Sequence, residues 1–224
     1  MCLKNKRTLF LKFLLLITLM VSCKKEQYQL KEGDILFQDL DKDSIDNAIE
    51  KVTKTYLKYN FTHVGIVVKQ QQELVVLEAI STGVQETSIA TFLNRNLKNG
   101  KPKVIVGKLN AKFLPYLNEA IKHGKTLIGN AYDNVYIIGD NSYYCSELLY
   151  EMFYKANPNL MPFKLNPMTF KDADTNETLP FWKNYYAQLN TKIPEGELGL
   201  NPNGMAVSPN ITLVYDYYAE KNLN

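Results

Sequence analysis

Runs of apolar, β-branched residues alternate with short polar stretches in the first half of the chain, a pattern typical of strands joined by tight turns. Two such runs cover residues 62–69 and 73–79 and are separated by glutamines. They predict an antiparallel hairpin in which Val68 lies opposite Glu73. Further strands are predicted at residues 35–38, 84–87, 103–109 and 211–217.

Apolar residues spaced three and four positions apart predict helices at residues 45–56, 89–96, 111–123 and 143–156. Gly124 is expected to end the third of these helices. Residues 157–209 show no clear period and hold seven of the nine prolines, so they are expected to wrap the core as loops with short elements. Together these elements predict an α+β fold.

The N-terminus is typical of an export signal. Residues 1–22 hold four basic residues and no acidic one, and their apolar run is too short to span a bilayer. The run ends in Ser22-Cys23, which resembles the lipobox of bacterial lipoproteins, where the cysteine is acylated. We therefore expect a lipid anchor on Cys23, a linker over residues 23–30 and a single domain over residues 31–224 in the cell envelope, facing the periplasm or the cell exterior. An ordinary secretory signal with an incidental Cys23 is the alternative.

The charge balance of the mature chain argues against one class of partner. The whole chain carries +3, but without residues 1–22 it has 22 basic against 23 acidic residues. Nucleic-acid binding depends on clustered bases that neutralise phosphates. A nucleic-acid partner is therefore not expected.

Cys145 would be the one thiol left after signal cleavage and acylation. A single cysteine with two histidines is a poor metal-ligand set, since metals usually take three or four ligands, so no metal or other cofactor is expected. Cys145 is predicted in the first turn of a helix, where unpaired amides and the helix dipole stabilise an anion. It is either a nucleophile or a buried cysteine that packs beside Leu148 and Leu149.

A thiolate nucleophile needs a base that later protonates the leaving group, and imidazole suits that role. His123 is predicted in the last turn of a helix, where a structural role explains it. His63 lies on a strand, and the predicted register places it directly opposite Glu78, whose carboxylate could orient the imidazole. The alternatives are a structural strand histidine and a strand-end glutamate that reaches solvent.

Two segments of the chain resemble signatures of NlpC/P60 cysteine peptidases. Gly129-Asn130-Ala131-Tyr132 is similar to G-x-P-Y, and Tyr144-Cys145-Ser146-Glu147-Leu148 is similar to D-C-S-G-L. Ala131 replaces the motif proline. Glu147 replaces the motif glycine, which puts a peptidase-like substrate preference in doubt.

The order of the motifs resembles the circularly permuted branch of that group, the YiiX/YebB-like papain-fold hydrolases. Thr62-His63-Val64-Gly65-Ile66 and Leu77-Glu78-Ala79 precede the cysteine here, whereas in ordinary members the histidine follows it. The opening Gly33-Asp34-Ile35-Leu36-Phe37 and the late Ser208-Pro209-Asn210 are also similar to motifs of that branch.

This resemblance implies a papain-like fold, in which a small antiparallel sheet or barrel packs against helices and the nucleophile lies at a helix N-terminus. It implies Cys145 as the nucleophile, His63 as the base and Glu78 as the orienting residue. Tyr132 is implied to position the thiol or to bind the oxyanion.

The resemblance also implies a hydrolase that cleaves an amide through a thioester, in cell-wall peptides or a related N-acyl substrate. Permuted relatives also act on acyl chains, so lipid acyl hydrolysis or acyl transfer is the second candidate, although the N-C-E-H motif of lecithin retinol acyltransferase-like proteins is absent. A non-catalytic lipoprotein that binds a wall fragment or a lipid is the third. The expected partners are the substrate and, through Cys23, the membrane.

Overall fold

The structure is a computed structural model that describes residues 28–40, 44–53 and 59–223. The predicted export signal, Cys23 and the first part of the linker lie outside the described residues.

Short antiparallel strands make up the sheets of the described part of the chain. They are β1 (Ile35–Gln38), β2 (His63–Gln70), β3 (Glu73–Ile80), β4 (Gly83–Ser88), β5 (Leu97–Lys98), β6 (Lys101–Pro102), β7 (Val104–Leu109), β8 (Asn166–Pro167), β9 (Leu198–Gly199), β10 (Ile211–Asp216) and β11 (Lys221–Asn222). The main sheet has the order β11-β10-β7-β1-β2-β3-β4, while β5 pairs with β6 and β8 with β9.

Helices cover the sheet on both faces. They are α1 (Ser44–Val52), α2 (Ile89–Leu93), α3 (Leu114–Thr126), α4 (Cys145–Ala156), α5 (Pro180–Gln188) and α6 (Pro202–Ala206), and a 3-10 turn precedes α3. The predicted helix at residues 45–56 is described as far as Val52. The predicted α+β fold, an antiparallel sheet packed against helices, is confirmed.

The apolar residues of the core form three clusters. On one face of the sheet, α3 and α4 pack against each other and against β2 and β3, around Leu77, Leu148 and Met152. On the other face, Phe92 of α2 packs with apolar residues of the central strands. The third cluster consists of aromatic rings around Trp182 of α5 and reaches Tyr144, directly before α4.

Gly124 does not end α3, contrary to the prediction. The helix continues to Thr126, and Gly124 is buried within it. A Cβ atom at position 124 would lie 2.8 Å from Leu77 Cδ2 and 2.8 Å from Met152 Cγ. The glycine is therefore needed for the close approach of α3 to its neighbours, and not for a turn.

The β2–β3 hairpin forms as predicted, but its register differs by two residues. Val68 pairs with Val75, and the loop is formed by Gln71 and Gln72, with Gln71 at a φ of 55°. Three successive glutamines offer two similar loops, so the sequence does not distinguish between the registers. Because the difference is an even number of residues, every side chain keeps its predicted face.

Candidate active site

Cys145 is the first residue of α4, so its N–H has no acceptor within the helix. The thiol is buried, with 6% of the residue exposed. The N-terminus of α4 is fixed by Glu147, whose carboxylate accepts hydrogen bonds from the N–H of Tyr144 at 3.4 Å and of Gly139 at 3.2 Å. Glu147, which replaces a motif glycine, therefore caps its own helix.

Burial has a large effect on the pKa of this capping carboxyl group. Glu147 is 1% exposed. Burial, with a further contribution from the charge of Asp133, raises the pKa of Glu147 to about 8. The helix therefore carries a buried acid that can be protonated at neutral pH.

His63 and Glu78 lie together in the structure. His63 Nε2 is 2.6 Å from Glu78 Oε2, and both side chains are buried. In the observed register they are diagonal neighbours on one face of the hairpin rather than directly opposite, a spacing that long side chains can bridge. Gly65 leaves room for this contact, since a Cβ atom there would lie 3.3 Å from Glu78 Cβ and 2.4 Å from Val76 Cγ1.

The imidazole of His63 also hydrogen-bonds to the Cys145 side chain. Because Nε2 faces Glu78, Nδ1 is the ring nitrogen left for the sulfur. Burial disfavours the charged imidazole, but the hydrogen bonds and charges of Cys145 and Glu78 outweigh it and raise the pKa of His63 to about 9. This arrangement favours an imidazolium next to the sulfur.

Glu78 accepts hydrogen bonds from two further residues that the sequence analysis did not single out for this role. Thr87 Oγ1 donates to Oε1 at 2.5 Å. Arg95 Nη1 donates to Oε2 at 2.6 Å, and Nη2 donates to Oε1. Burial alone would raise the pKa of Glu78, but the hydrogen bonds and charges of His63 and Arg95 lower it to about 2.

The sequence prediction missed Arg95 because it extended α2 to residue 96. The helix ends at Leu93, and Asn94 caps it, which lets the chain turn back toward Glu78. Ser88 caps the start of α2 by accepting from the Thr91 N–H at 3.1 Å, so Thr87 does not serve as the cap. The period-two pattern of β4 already places Thr87 on the face of Glu78, and this signal could have identified it.

A cavity of about 360 Å³ opens beside the Cys145 thiol. Its wall is mainly apolar and aromatic, and Lys164 is the charged residue among the lining residues. The apolar wall includes Ile49, Val52, Phe163, Met168, Phe170, Trp182, Leu200 and Met205. This volume falls within the range of pockets that hold small ligands, roughly 300–1,000 Å³.

Tyr132 lines the same cavity as Cys145, and its hydroxyl hydrogen-bonds to that of Tyr136. Burial and the nearby charge of Cys145 raise the pKa of Tyr132, which keeps its hydroxyl protonated as a donor. Tyr136 is buried and has a φ of 62°, which is unusual for a residue with a side chain. The loop before α4 therefore presents a hydroxyl donor to the space beside the thiol.

His123 does not join this cluster. It lies on α3 with Nε2 3.4 Å from Glu151 Oε1 of α4. Of the two histidines in the chain, the structure thus places His63 at Cys145 and His123 between two helices.

Within residues 28–40, 44–53 and 59–223, no three side chains of the His, Cys, Asp and Glu types form a group that could hold a metal ion. No helix of the described residues is both long and apolar enough to cross a bilayer.

The chain is similar to proteins of a known family. A family model described as permuted papain-like amidase enzyme, YaeF/YiiX, C92 family, matches residues 29–215. YiiX of Escherichia coli K12, described as an uncharacterised protein, is 26% identical over 144 residues, which are 64% of this chain and 67% of YiiX.

The fold has a close structural counterpart. The crystal structure of YiiX from Escherichia coli O157:H7, described as a metalloprotein, matches with a TM-score of 0.67 at 22% identity, over 84% of this chain and 98% of that one. Since the family match spans most of the sequence and supports a cysteine hydrolase activity, this chain belongs to the permuted papain-like amidases of the YaeF/YiiX, or C92, family.

Proposed function

We propose that this protein is a cysteine amidase in which Cys145 is the nucleophile, His63 the base and Glu78 the residue that orients the base. The observation that carries the proposal is the position of His63, which hydrogen-bonds to Cys145 on one side and lies 2.6 Å from Glu78 on the other. A nucleophile, a base and an orienting acid in contact are the arrangement that activates a thiol for acyl transfer.

In this mechanism the Cys145 thiolate attacks the carbonyl carbon of an amide. The resulting oxyanion accepts hydrogen bonds from the Tyr132 hydroxyl and the Cys145 N–H. His63 gives its proton to the departing amine as the C–N bond breaks and a thioester remains. Water then loses a proton to His63 and attacks the thioester, which releases a carboxylic acid and restores the thiolate and imidazolium.

The cavity beside the thiol favours an N-acyl substrate over a cell-wall peptide. Wall peptides carry carboxylates and amines, and burying such charges is costly without partners. The cavity offers Lys164 as a charged partner and an otherwise mainly apolar wall. An apolar acyl group on the carbonyl side of the scissile amide matches this chemistry.

Substrate turnover tests the proposal. Wild type and Cys145→Ala are incubated with N-acyl amino acids of short and medium chain length and with wall peptides, and the released amine is measured. We expect wild type to release amine from the longer acyl substrates, Cys145→Ala to release none, and Met168→Trp, which narrows the cavity, to lose the longer substrates first. Equal turnover by Cys145→Ala contradicts the mechanism, and wild-type turnover of wall peptides alone contradicts the N-acyl preference.

We also propose that the protein is held in the cell envelope by a lipid on Cys23. The Ser22-Cys23 sequence after a short apolar run supports this. Growth with an alkyne fatty acid should label wild type and leave Cys23→Ser unlabelled. Equal labelling of both would contradict acylation at this cysteine.

A further inference from the structure

Arg95 lies just beyond the end of α2 and turns its guanidinium back onto Glu78. The contact is bidentate, since Nη1 and Nη2 each donate to a different carboxylate oxygen. The guanidinium carbon lies 5.2 Å from the centroid of the Phe92 ring, which is itself 5.7 Å from the His63 ring centroid. The Arg95 side chain is 16% exposed, so it is largely withdrawn from solvent into this site.

Glu78 has no exposed surface, and its charge therefore depends on its neighbours. A buried carboxylate must be compensated by donors and opposite charges or take up a proton. His63 faces it from β2, Thr87 from β4 and Arg95 from the turn after α2, while Cys145 of α4 lies beyond His63. Thr87 supplies no charge, so the cations at Glu78 are Arg95 and, when protonated, His63.

We propose that Arg95 is a positioning residue that keeps the resting site in its thiolate–imidazolium form. This proposal rests on the function proposed above. Along the line Arg95, Glu78, His63, Cys145 the charges alternate and sum to zero. Without Arg95 the other three groups would carry a net negative charge in a buried place, which disfavours the thiolate.

Arg95 also fixes the direction of the carboxylate. Two parallel N–H···O bonds define the plane of the carboxylate, which in turn defines the orientation of the His63 ring. Lysine supplies the charge but not this fork geometry. Arg95 therefore contributes in two ways: its charge stabilises the thiolate–imidazolium form, and its fork geometry orients the Glu78 carboxylate.

The alternative is a purely structural role, in which Arg95 only holds α2 against the sheet and its removal releases the helix. Gln38 Nε2 already donates to the Phe92 carbonyl of α2 at 2.7 Å. Ser88 caps the start of the same helix. Since these contacts hold α2 without Arg95, its removal need not release the helix.

The test measures the rate at which iodoacetamide alkylates Cys145 as a function of pH, with the modified peptide quantified by mass spectrometry. The full-length wild type is compared with Arg95→Met, which keeps packing on Phe92 without the charge, with Arg95→Lys and with Thr87→Val. We expect the midpoint of the Arg95→Met profile to move up by about one pH unit, so that alkylation at low pH slows roughly tenfold. Arg95→Lys should lie between wild type and Arg95→Met, and Thr87→Val should move less than Arg95→Met.

An Arg95→Met profile that superimposes on wild type overturns the proposal, and so does a uniform slowing without a moved midpoint. A Thr87→Val shift as large as that of Arg95→Met overturns the contribution of charge. If circular dichroism shows Arg95→Met to be unfolded, the pH profile of Arg95→Lys is compared with wild type instead. Superposition of these two profiles then overturns the proposal. Failure of the proposed function has a different signature, because His63→Ala would then leave the Cys145 profile unchanged.

Discussion

At the residue scale, the site depends on a carboxylate that has no contact with solvent. Glu78 receives donors from three residues. The hydrogen bonds and charges of Cys145 and Glu78 together keep the pKa of His63 high in a buried environment. The imidazolium that protonates the leaving group in the proposed mechanism therefore exists over most of the physiological pH range. In that mechanism, deprotonation of the imidazolium sets the alkaline limit of the reaction.

The pH dependence of activity follows from this. The pKa of His63 is raised to about 9, so the imidazolium is present below that pH and is lost above it. We expect kcat/KM to fall as pH rises through about 9. In Glu78→Gln the charge that stabilises the imidazolium is gone, so the alkaline limb should move to lower pH. An alkaline limb that stays in place in Glu78→Gln would show that Glu78 does not act on His63.

Substitution of Gly65 is expected to lower activity as much as substitution of the residues proposed to be catalytic. The Cβ atom of Gly65→Ala would lie 2.4 Å from Val76 Cγ1 and 3.3 Å from Glu78 Cβ, so the strands must separate locally. Such overpacking typically costs about 1–3 kcal/mol, and here it also displaces the carboxylate from His63. Thermal denaturation and amide hydrolysis should both show a loss.

The matched control for stability is Gly204→Ala, whose added carbon meets nothing closer than 3.6 Å. Wild-type stability in Gly65→Ala would contradict the close approach of β2 and β3 at this point.

At the scale of the elements, the N-terminus of α4 places the Cys145 thiol close to a buried acid, Glu147. Glu147 has a pKa raised to about 8 from 4.5, so the folded protein binds a proton here that the unfolded chain releases. The stability that this group contributes is therefore full below about pH 4.5 and is lost as pH rises toward 8.

Glu147→Gln keeps one of the two acceptor oxygens and cannot ionise. Relative to wild type, we expect a small difference in Tm at pH 5 and a Tm higher by roughly 5 °C at pH 8, measured by thermal denaturation. Glu119→Gln, at an exposed position of α3, is the control and should show no such pH dependence. The same Tm difference at both pH values would contradict a buried, protonated carboxyl group.

Local patterns in the sequence predict the helices and strands well but not their ends and register. The β2–β3 hairpin and the start of α4 follow from periodicity, whereas the two-residue difference in register arises at glutamines that favour neither loop. Arg95 was assigned to a helix because the predicted helix ran on to residue 96, three residues past its observed end at Leu93. Its role depends on a tertiary contact, the bidentate bond to Glu78, that no local pattern encodes.

At the scale of the whole molecule, the site joins segments that are far apart in the sequence. The hairpin brings His63 and Glu78 together, α4 brings Cys145 to them from the next layer, and the loop before α4 adds Tyr132. The predicted residue types and their order allowed this grouping to be proposed from the sequence. The wall of the apolar cavity comes mainly from several short elements between residues 157 and 209 and from α1, and no local pattern encodes how these elements meet.

The most direct test of this account is the alkylation of Cys145 by iodoacetamide at pH 6 in full-length wild type, His63→Ala and His123→Ala, quantified by mass spectrometry of the Cys145 peptide. If His63 holds Cys145 as a thiolate, His63→Ala should react at least about tenfold more slowly than wild type, while His123→Ala should react at the wild-type rate. Equal rates in all three proteins would contradict an activated thiol at this site.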